Sequence, residues 1–239
     1  MLGQSTKGLC MTVGSNQPYF FPYIAYWQLI NRVDIFVLSD SMQYRKKGYI
    51  NRNDILIDGK RHRYTLEVLG VHTGKLINEV CVGHNAKKIL KSISNAYKKA
   101  PYFNEVYPML EEICLNEEKN LAKYVGFSIE RIARYLEMDT KFIYLSDLQG
   151  KTALKAQERT IDICKRLGAD QYINAIGGQK LYSKKVFKEH GIKLNFIKTE
   201  SVQYKQFHNA FLPNMSIIDI MMFNSREEIK VMLQKYVLI

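Results

Sequence analysis

The chain has 239 residues, 46% of them hydrophobic, with 35 Lys and Arg against 23 Asp and Glu and a formal charge of +12. That size and apolar content suit one α/β domain whose core needs neither disulfides nor metal. No apolar run reaches the length of about eighteen residues that a transmembrane helix needs, and the positive balance points to anionic partners: nucleic acid, a membrane surface or phosphorylated small molecules.

Residues 1–10 (MLGQSTKGLC) are polar and lack the apolar stretch of a signal peptide, so they read as a short flexible lead to a single domain over 11–239. MTVGS (11–15) reads as a strand. The loop QPYFFP (17–22) follows, with no glycine cradle, nucleophile or histidine. Tyr23, Tyr26, Trp27 and Ile30 recur at helical spacing, so 23–33 is a helix laid on a sheet, with Pro22 at its first turn. DIFVLSD (34–40) is a continuous apolar run ending in polar residues, as a buried parallel strand is. Residues 41–53 form a basic, polar loop, and 54–68 alternate around Asp58-Gly59, a hairpin signal.

AKKILKSISNAYKKA (86–100) is an amphipathic helix with Ile89, Leu90, Ile93 and Tyr97 inward and its lysines outward. Pro101 and Pro108 punctuate the chain before a long helix over 119–138 and a strand over 141–146. A helix over 152–170 ends at Gly168, a strand occupies 171–175, a loop over 176–183 opens a helix running to His190, and 193–198 is a strand. Strand–helix–strand order at both ends predicts an α/β fold: a mostly parallel, doubly wound, nucleotide-binding-like sheet with helices on both faces and a helical mid-region.

Cys10, Cys81, Cys114 and Cys164 form no CxxC pair, which reads as reduced thiols in a cytoplasmic protein, with Cys114 and Cys164 in the core. The five histidines form neither HxxxH nor HxH, so no metal site and no cofactor are expected.

In an open parallel sheet, ligands sit outside the carboxyl ends of the strands. Three loops leave such ends. QPYFFP offers Gln17, Pro18 and Phe21 as an aromatic wall with one amide. The second loop offers Asp40, Gln43, Lys46, Asn51, Arg52 and Asn53; Arg52 can grip a phosphate with its planar fork, and the asparagines can read hydroxyls. A solvated loop capping itself with Asn and Asp accounts for the same residues. The third offers Asn174, then Gly177 and Gly178 with backbone N–H groups for an anion, then Tyr182, although a simple turn also needs a Gly-Gly pair. Near the C-terminus, Ser216 suits a helix N-cap, and Asp219 either completes a capping box or faces the site. Adenylyl-transferring α/β enzymes carry an HxGH-type loop after the first strand; here no histidine occurs before His62.

Four segments carry a resemblance: QPYFFPYIAYWQLI, D-x-x-Q-Y-x-K-K-G-Y-I-N-R-N, the GG-x-x-LY run from Gly177 to Ile192, and F-x-P-x-x-SIIDIMMFN from Phe211 to Asn224. In this order the chain resembles the WbqC-like protein family. The resemblance implies a role in building bacterial O-antigen and other surface glycans, with transfer of glycine or another amino acid onto an amino sugar. The residues so carried over are Gln17, Pro18, Pro22, Asp40, Gln43, Lys46, Asn51, Arg52, Asn53, Gly178, Tyr182 and Asp219. Two positions depart: Tyr49 stands where the family often has tryptophan, and Ser225-Arg226 where it often has glycine.

The resulting expectation is a transferase acting on a nucleotide-linked amino sugar. Lys46 and Arg52 would hold the anion, Asp40 or Asp219 would serve as base, and the acyl donor would be an aminoacyl species such as a carrier-protein thioester. The rivals are a nucleotidyltransferase and a non-catalytic basic binding module. Nucleic acid is disfavoured, because the aromatics follow helix and strand periodicity rather than interleaving with a basic stripe.

Overall fold

The computed structural model describes residues 10–148, 154, 156–208 and 210–239. Most of the expected N-terminal lead, and the expected helix start at Thr152, lie outside them. β1 (Thr12–Asn16) leads through the QPYFFP loop into α1 (Ile24–Arg32), and the chain returns as β2 (Ile35–Leu38), parallel to β1 with Val13 beside Ile35. All four β2 residues are buried, as an unbroken apolar run requires.

β3 (Arg52–Ile57) and β4 (Lys60–Thr65) form the expected hairpin. Asp58 and Gly59 both take positive φ, 48° and 71°, the mirror-image turn whose twist matches that of the strands. β5 (Val68–Leu69) and β6 (Cys81–Val82) make a second small antiparallel pair. Three helices follow: α2 (Ala86–Tyr97), α3 (Phe103–Cys114) and α4 (Leu121–Tyr135). α2 buries Ile89, Leu90, Ile93 and Tyr97, the stripe its spacing predicts.

β7 (Lys141–Tyr144) rejoins the sheet beside β2, and the second half runs α5 (Ala156–Arg166), β8 (Gln171–Ala175), α6 (Lys184–Glu189), β9 (Lys193–Thr199), α7 (Ile217–Phe223), α8 (Arg226–Leu233) and β10 (Tyr236–Leu238). The six strands lie in the order β7-β2-β1-β8-β9-β10, all parallel except β10, which is antiparallel to β9. The chain therefore builds outward from β1 in one direction, then crosses to the other side of β1 and builds the opposite way.

Strand side chains alternate between two cores. Val13, Ile35, Val37, Tyr172, Leu194 and Phe196 pack with Ile161, Cys164 and Phe187 of α5 and α6. Phe36, Leu38, Ile173 and Ile197 pack with Trp27, Leu29 and Ile30 of α1 and with the mid-chain helices. Cys114 and Cys164 are buried, and burial pushes both thiols up to about 12, so they behave as small hydrophobes.

Several elements differ from the sequence expectation, the unforeseen β5–β6 pair among them. Pro108 does not end a segment; it lies inside α3. The residue is exposed, so the carbonyl that loses its N–H partner faces water. α8 and β10 were also not foreseen, because their apolar residues are too few for periodicity to stand out. Among the described residues, no helix is long and apolar enough to cross a membrane.

Candidate functional site

The QPYFFP loop is held as much as it holds. Phe20 and Phe21 are fully buried, against Tyr64 and Tyr124. Phe21 has φ 50°, a left-handed conformation that costs a bulky residue energy. Its carbonyl accepts from Asn53 Nδ2 (2.7 Å) and Ser216 Oγ (2.9 Å). The next carbonyl, of Pro22, accepts from Trp27 Nε1 (3.0 Å) and from the Ile217 backbone N–H (3.0 Å). Two distant segments and the adjoining helix α1 thus converge on two successive peptide groups and fix the loop.

The loop borders a crevice at the carboxyl edge of the sheet, where the strand order reverses between β1 and β8. The crevice has two lobes that share Asn16, Tyr19, Ala175 and Gly177. The smaller, about 410 Å³, lies toward α5 and is lined by Ser15, Gln17, Arg159, Asn174, Gly178 and Tyr182 among others. The larger, about 610 Å³, lies toward α1 and β9 and is lined by Tyr23, Tyr49, Lys198, Glu200, Tyr204 and Phe211 among others. Its wall is aromatic: the Tyr19 ring lies 5.5 Å from that of Tyr26 and 6.3 Å from that of Tyr49. Tyr49 is 49% exposed and Tyr23 42%, so these rings offer free faces.

Asn16 is the last residue of β1 and Asn174 the last but one of β8, the two strands that flank the reversal. Asn16 Oδ1 accepts from the Gln17 N–H (2.8 Å) and Asn174 Oδ1 from the Ala175 N–H (2.7 Å). Each local bond occupies the carboxamide oxygen, and no hydrogen bond from either Nδ2 is made among the described residues. A Cβ on Gly178 would lie 2.7 Å from Asn174 Nδ2, so glycine there leaves room for that amide. Behind them, Ser15 Oγ and Tyr172 OH lie 2.6 Å apart, and the Tyr172 ring meets Tyr182 edge-on.

The crevice brings together Gln17, Asn174, Gly177, Gly178 and Tyr182 from the sequence-derived set, and it leaves the rest elsewhere. Pro18 and Phe21 are buried, so the aromatic wall is made by Tyr19, Tyr23 and Tyr49 instead. Asn51 is buried: its Nδ2 donates to Leu66 O (2.6 Å) and its Oδ1 accepts from Tyr44 OH (3.0 Å). Asn53 is spent on Phe21. Arg52 donates from Nε to Gly48 O (2.9 Å) and from Nη2 to Lys47 O, which closes its own loop. Gln43 and Lys46 are exposed on that loop and line neither lobe. The expected anion grip at Lys46 and Arg52 is therefore not gathered at the crevice.

The two expected bases also lie apart from it. Asp40 lines a separate cavity of about 660 Å³ with Asn78, Tyr144 and Ser146. Its carboxylate accepts from Ser146 N (2.9 Å), Ser146 Oγ (2.6 Å) and Asn78 Nδ2 (3.2 Å), which ties the end of β2 to the turn after β7. Asp219 is fully buried and accepts from Tyr97 OH (2.7 Å), Tyr204 OH (2.6 Å) and Gln206 Nε2 (2.6 Å). Burial pushes its carboxyl above the usual range. It completes no capping box, whereas Ser216 does cap α7, accepting from Ile218 N (3.3 Å).

With this geometry in view, comparison with known proteins is informative. The WbqC-like protein family model matches residues 17–231. The chain belongs to the WbqC-like protein family. It is also similar to the uncharacterized protein Rv1507c of Mycobacterium tuberculosis (strain H37Rv), 28% identical over 213 residues that cover 86% of this chain and 90% of that protein. No solved structure matches it significantly. Three of the four segments that carry the WbqC-like resemblance meet at Phe21 and Pro22, and the fourth, from Gly177 to Ile192, begins in the crevice. Where this chain departs from the WbqC-like pattern, Tyr49 faces the larger lobe, and Ser225 caps α8 in a full capping box with Glu228.

Asn16, Tyr19, Arg159 and Glu200 were missed in the sequence. Asn16 and Glu200 stand at or just past the end of an apolar strand, the signal that singled out Asn174. Arg159 carried no signal, because a charged residue within an amphipathic helix reads as a solvated face. Chemically, the crevice offers stacking faces, amide donors, one guanidinium, one ammonium and one carboxylate.

Proposed function

We propose that this WbqC-like protein is a transferase of bacterial surface-glycan assembly, of the O-antigen kind, that binds a nucleotide-linked amino sugar in the crevice. Transfer of glycine or another amino acid onto the sugar amine is the reaction this reading favours, with an activated aminoacyl species as donor. The observation that carries it is the two-lobed crevice at the point where the strand order reverses. Counted along the sheet strands in chain order, the order 3-2-1-4-5-6 is shared with doubly wound sheets that hold ligands at such a reversal, apart from the antiparallel β10, and this supports a ligand at the crevice. Aromatic faces suit a sugar or base, and the Asn16 and Asn174 amides suit hydroxyl and phosphate oxygens. Family membership supports the glycan setting.

A thermal-shift panel at moderate salt tests the reading. It holds UDP- and dTDP-linked amino sugars, the free nucleotides, ATP, coenzyme A and a short RNA. A ligand at about 100 times its Kd stabilises by about 2.7 kcal/mol. The expected result is a shift with the amino-sugar nucleotides that Gly178→Ala diminishes, because the new methyl displaces Asn174. A shift with ATP alone would instead support nucleotidyl transfer. A shift with RNA alone, steeply weakened by salt, would support a basic binding module.

A further inference from the structure

Charge is sparse in the crevice and unevenly placed. In the smaller lobe the charged side chain is Arg159, from α5. Its guanidinium donates to Leu154 O (3.1 Å) and reaches Met42 Sδ (3.1 Å), a weak acceptor, and it pairs with no carboxylate among the described residues. In the larger lobe stand Lys198 and Glu200, at the end of β9 on the far side of the reversal. Glu200 is exposed, its backbone N–H is tied to Lys235 O (2.9 Å), and its carboxylate forms no ion pair with Lys198 or any other described residue. It is the carboxylate that lines either lobe.

A guanidinium with no anionic partner and a carboxylate with no ion-pair partner among the described residues, set in adjoining lobes, are complementary to a ligand with its own charge separation. A nucleoside diphosphate linked to a sugar with a free amine is such a ligand: anionic at the phosphates, cationic at the ammonium. Resting on the transferase reading above, we propose that the crevice orients its substrate by these two charges, with the phosphates at Arg159 and the unacylated sugar ammonium at Glu200. The aromatic wall of Tyr19 and Tyr49 then lies against the sugar that joins them. When the amine loses its proton and displaces the donor's leaving group, the sugar nitrogen becomes a neutral amide and the nearest positive charge moves outward to the α-ammonium of the transferred amino acid, so the charge that faced Glu200 at the sugar is gone.

Calorimetric titration of UDP, UDP-glucosamine and UDP-N-acetylglucosamine, with dTDP and a dTDP-linked 4-amino sugar in parallel, reads this directly. The wild type should bind the free-amine ligand about fivefold more tightly than its acylated counterpart, the scale of a partly exposed charge pair. Glu200→Gln should abolish that preference and leave the affinity for UDP or dTDP unchanged. Arg159→Gln should weaken the free nucleotide itself. Both side chains are at least partly exposed, and unchanged unfolding curves would confirm that the variants fold. Equal binding of amine and amide by the wild type, or a preference that survives Glu200→Gln, would overturn the inference alone. Absence of binding by every nucleotide would remove the transferase reading, and this inference with it.

Discussion

Asn53 shows how one residue's partner decides what it does. In sequence it stands in a polar N-R-N run beside Arg52; in the fold its amide faces inward and supports the strained Phe21 carbonyl together with Ser216. Asn53→Ala and Ser216→Ala each leave that buried acceptor with one donor and should cost about 1–3 kcal/mol in urea unfolding. Because both act on one oxygen, the double variant should depart from the sum of the singles. Additive costs would mean that the two bonds hold the loop independently. Gln17 and Asn174, polar residues at strand ends, line the crevice, because a parallel strand delivers its carboxyl end there whatever the partner. Asn51 and Asn53 turn away from it, because the turn of a side chain inward or outward at a strand's start depends on the carbonyls it meets.

At the level of elements, α8 shows a departure from the family pattern with a local cause. Ser225 Oγ accepts from the Glu228 N–H (3.2 Å), and Glu228 returns the bond to the Ser225 N–H (2.7 Å). Arg226 pairs with Glu105 (2.8 Å), tying α8 to α3. Ser225→Ala should lower stability by about 0.5–2 kcal/mol, whereas Ser225→Gly should cost only a few tenths. Equal losses for the two variants would show that the cap contributes little. The helices and strands foreseen in the sequence were those whose apolar period runs long enough to be seen, such as α2. α3 was obscured by Pro108, whose cost is small only because that position is exposed, and exposure is a tertiary fact.

For the whole molecule, two buried carboxylates pull stability in opposite directions with pH. Asp54 accepts from Arg63 (2.8 Å) and Arg61 (3.2 Å), and the Arg63 hydrogen bond, foremost, holds its carboxyl below the usual range. Its contribution is present above the unfolded aspartate value of about 3.9 and is lost as pH falls through the lowered native value. Asp219 is raised by burial, so its contribution is complete below that unfolded value and is lost as pH rises through the raised native one. Unfolding free energy measured against pH should therefore lose part of its acid limb in Asp54→Asn and part of its decline above about pH 4 in Asp219→Asn. Identical profile shapes for wild type and both variants would contradict these assignments. Membership of the WbqC-like family and the mixed α/β class follow from residue order and periodicity, since motifs and alternation are local properties of a chain. The make-up of the crevice does not: Arg159 from one helix, Glu200 just past the end of one strand and Asn16 at the end of another line one crevice because the strand order reverses at β1. That reversal is set by which strands hydrogen-bond to which, and no spacing along the chain records it.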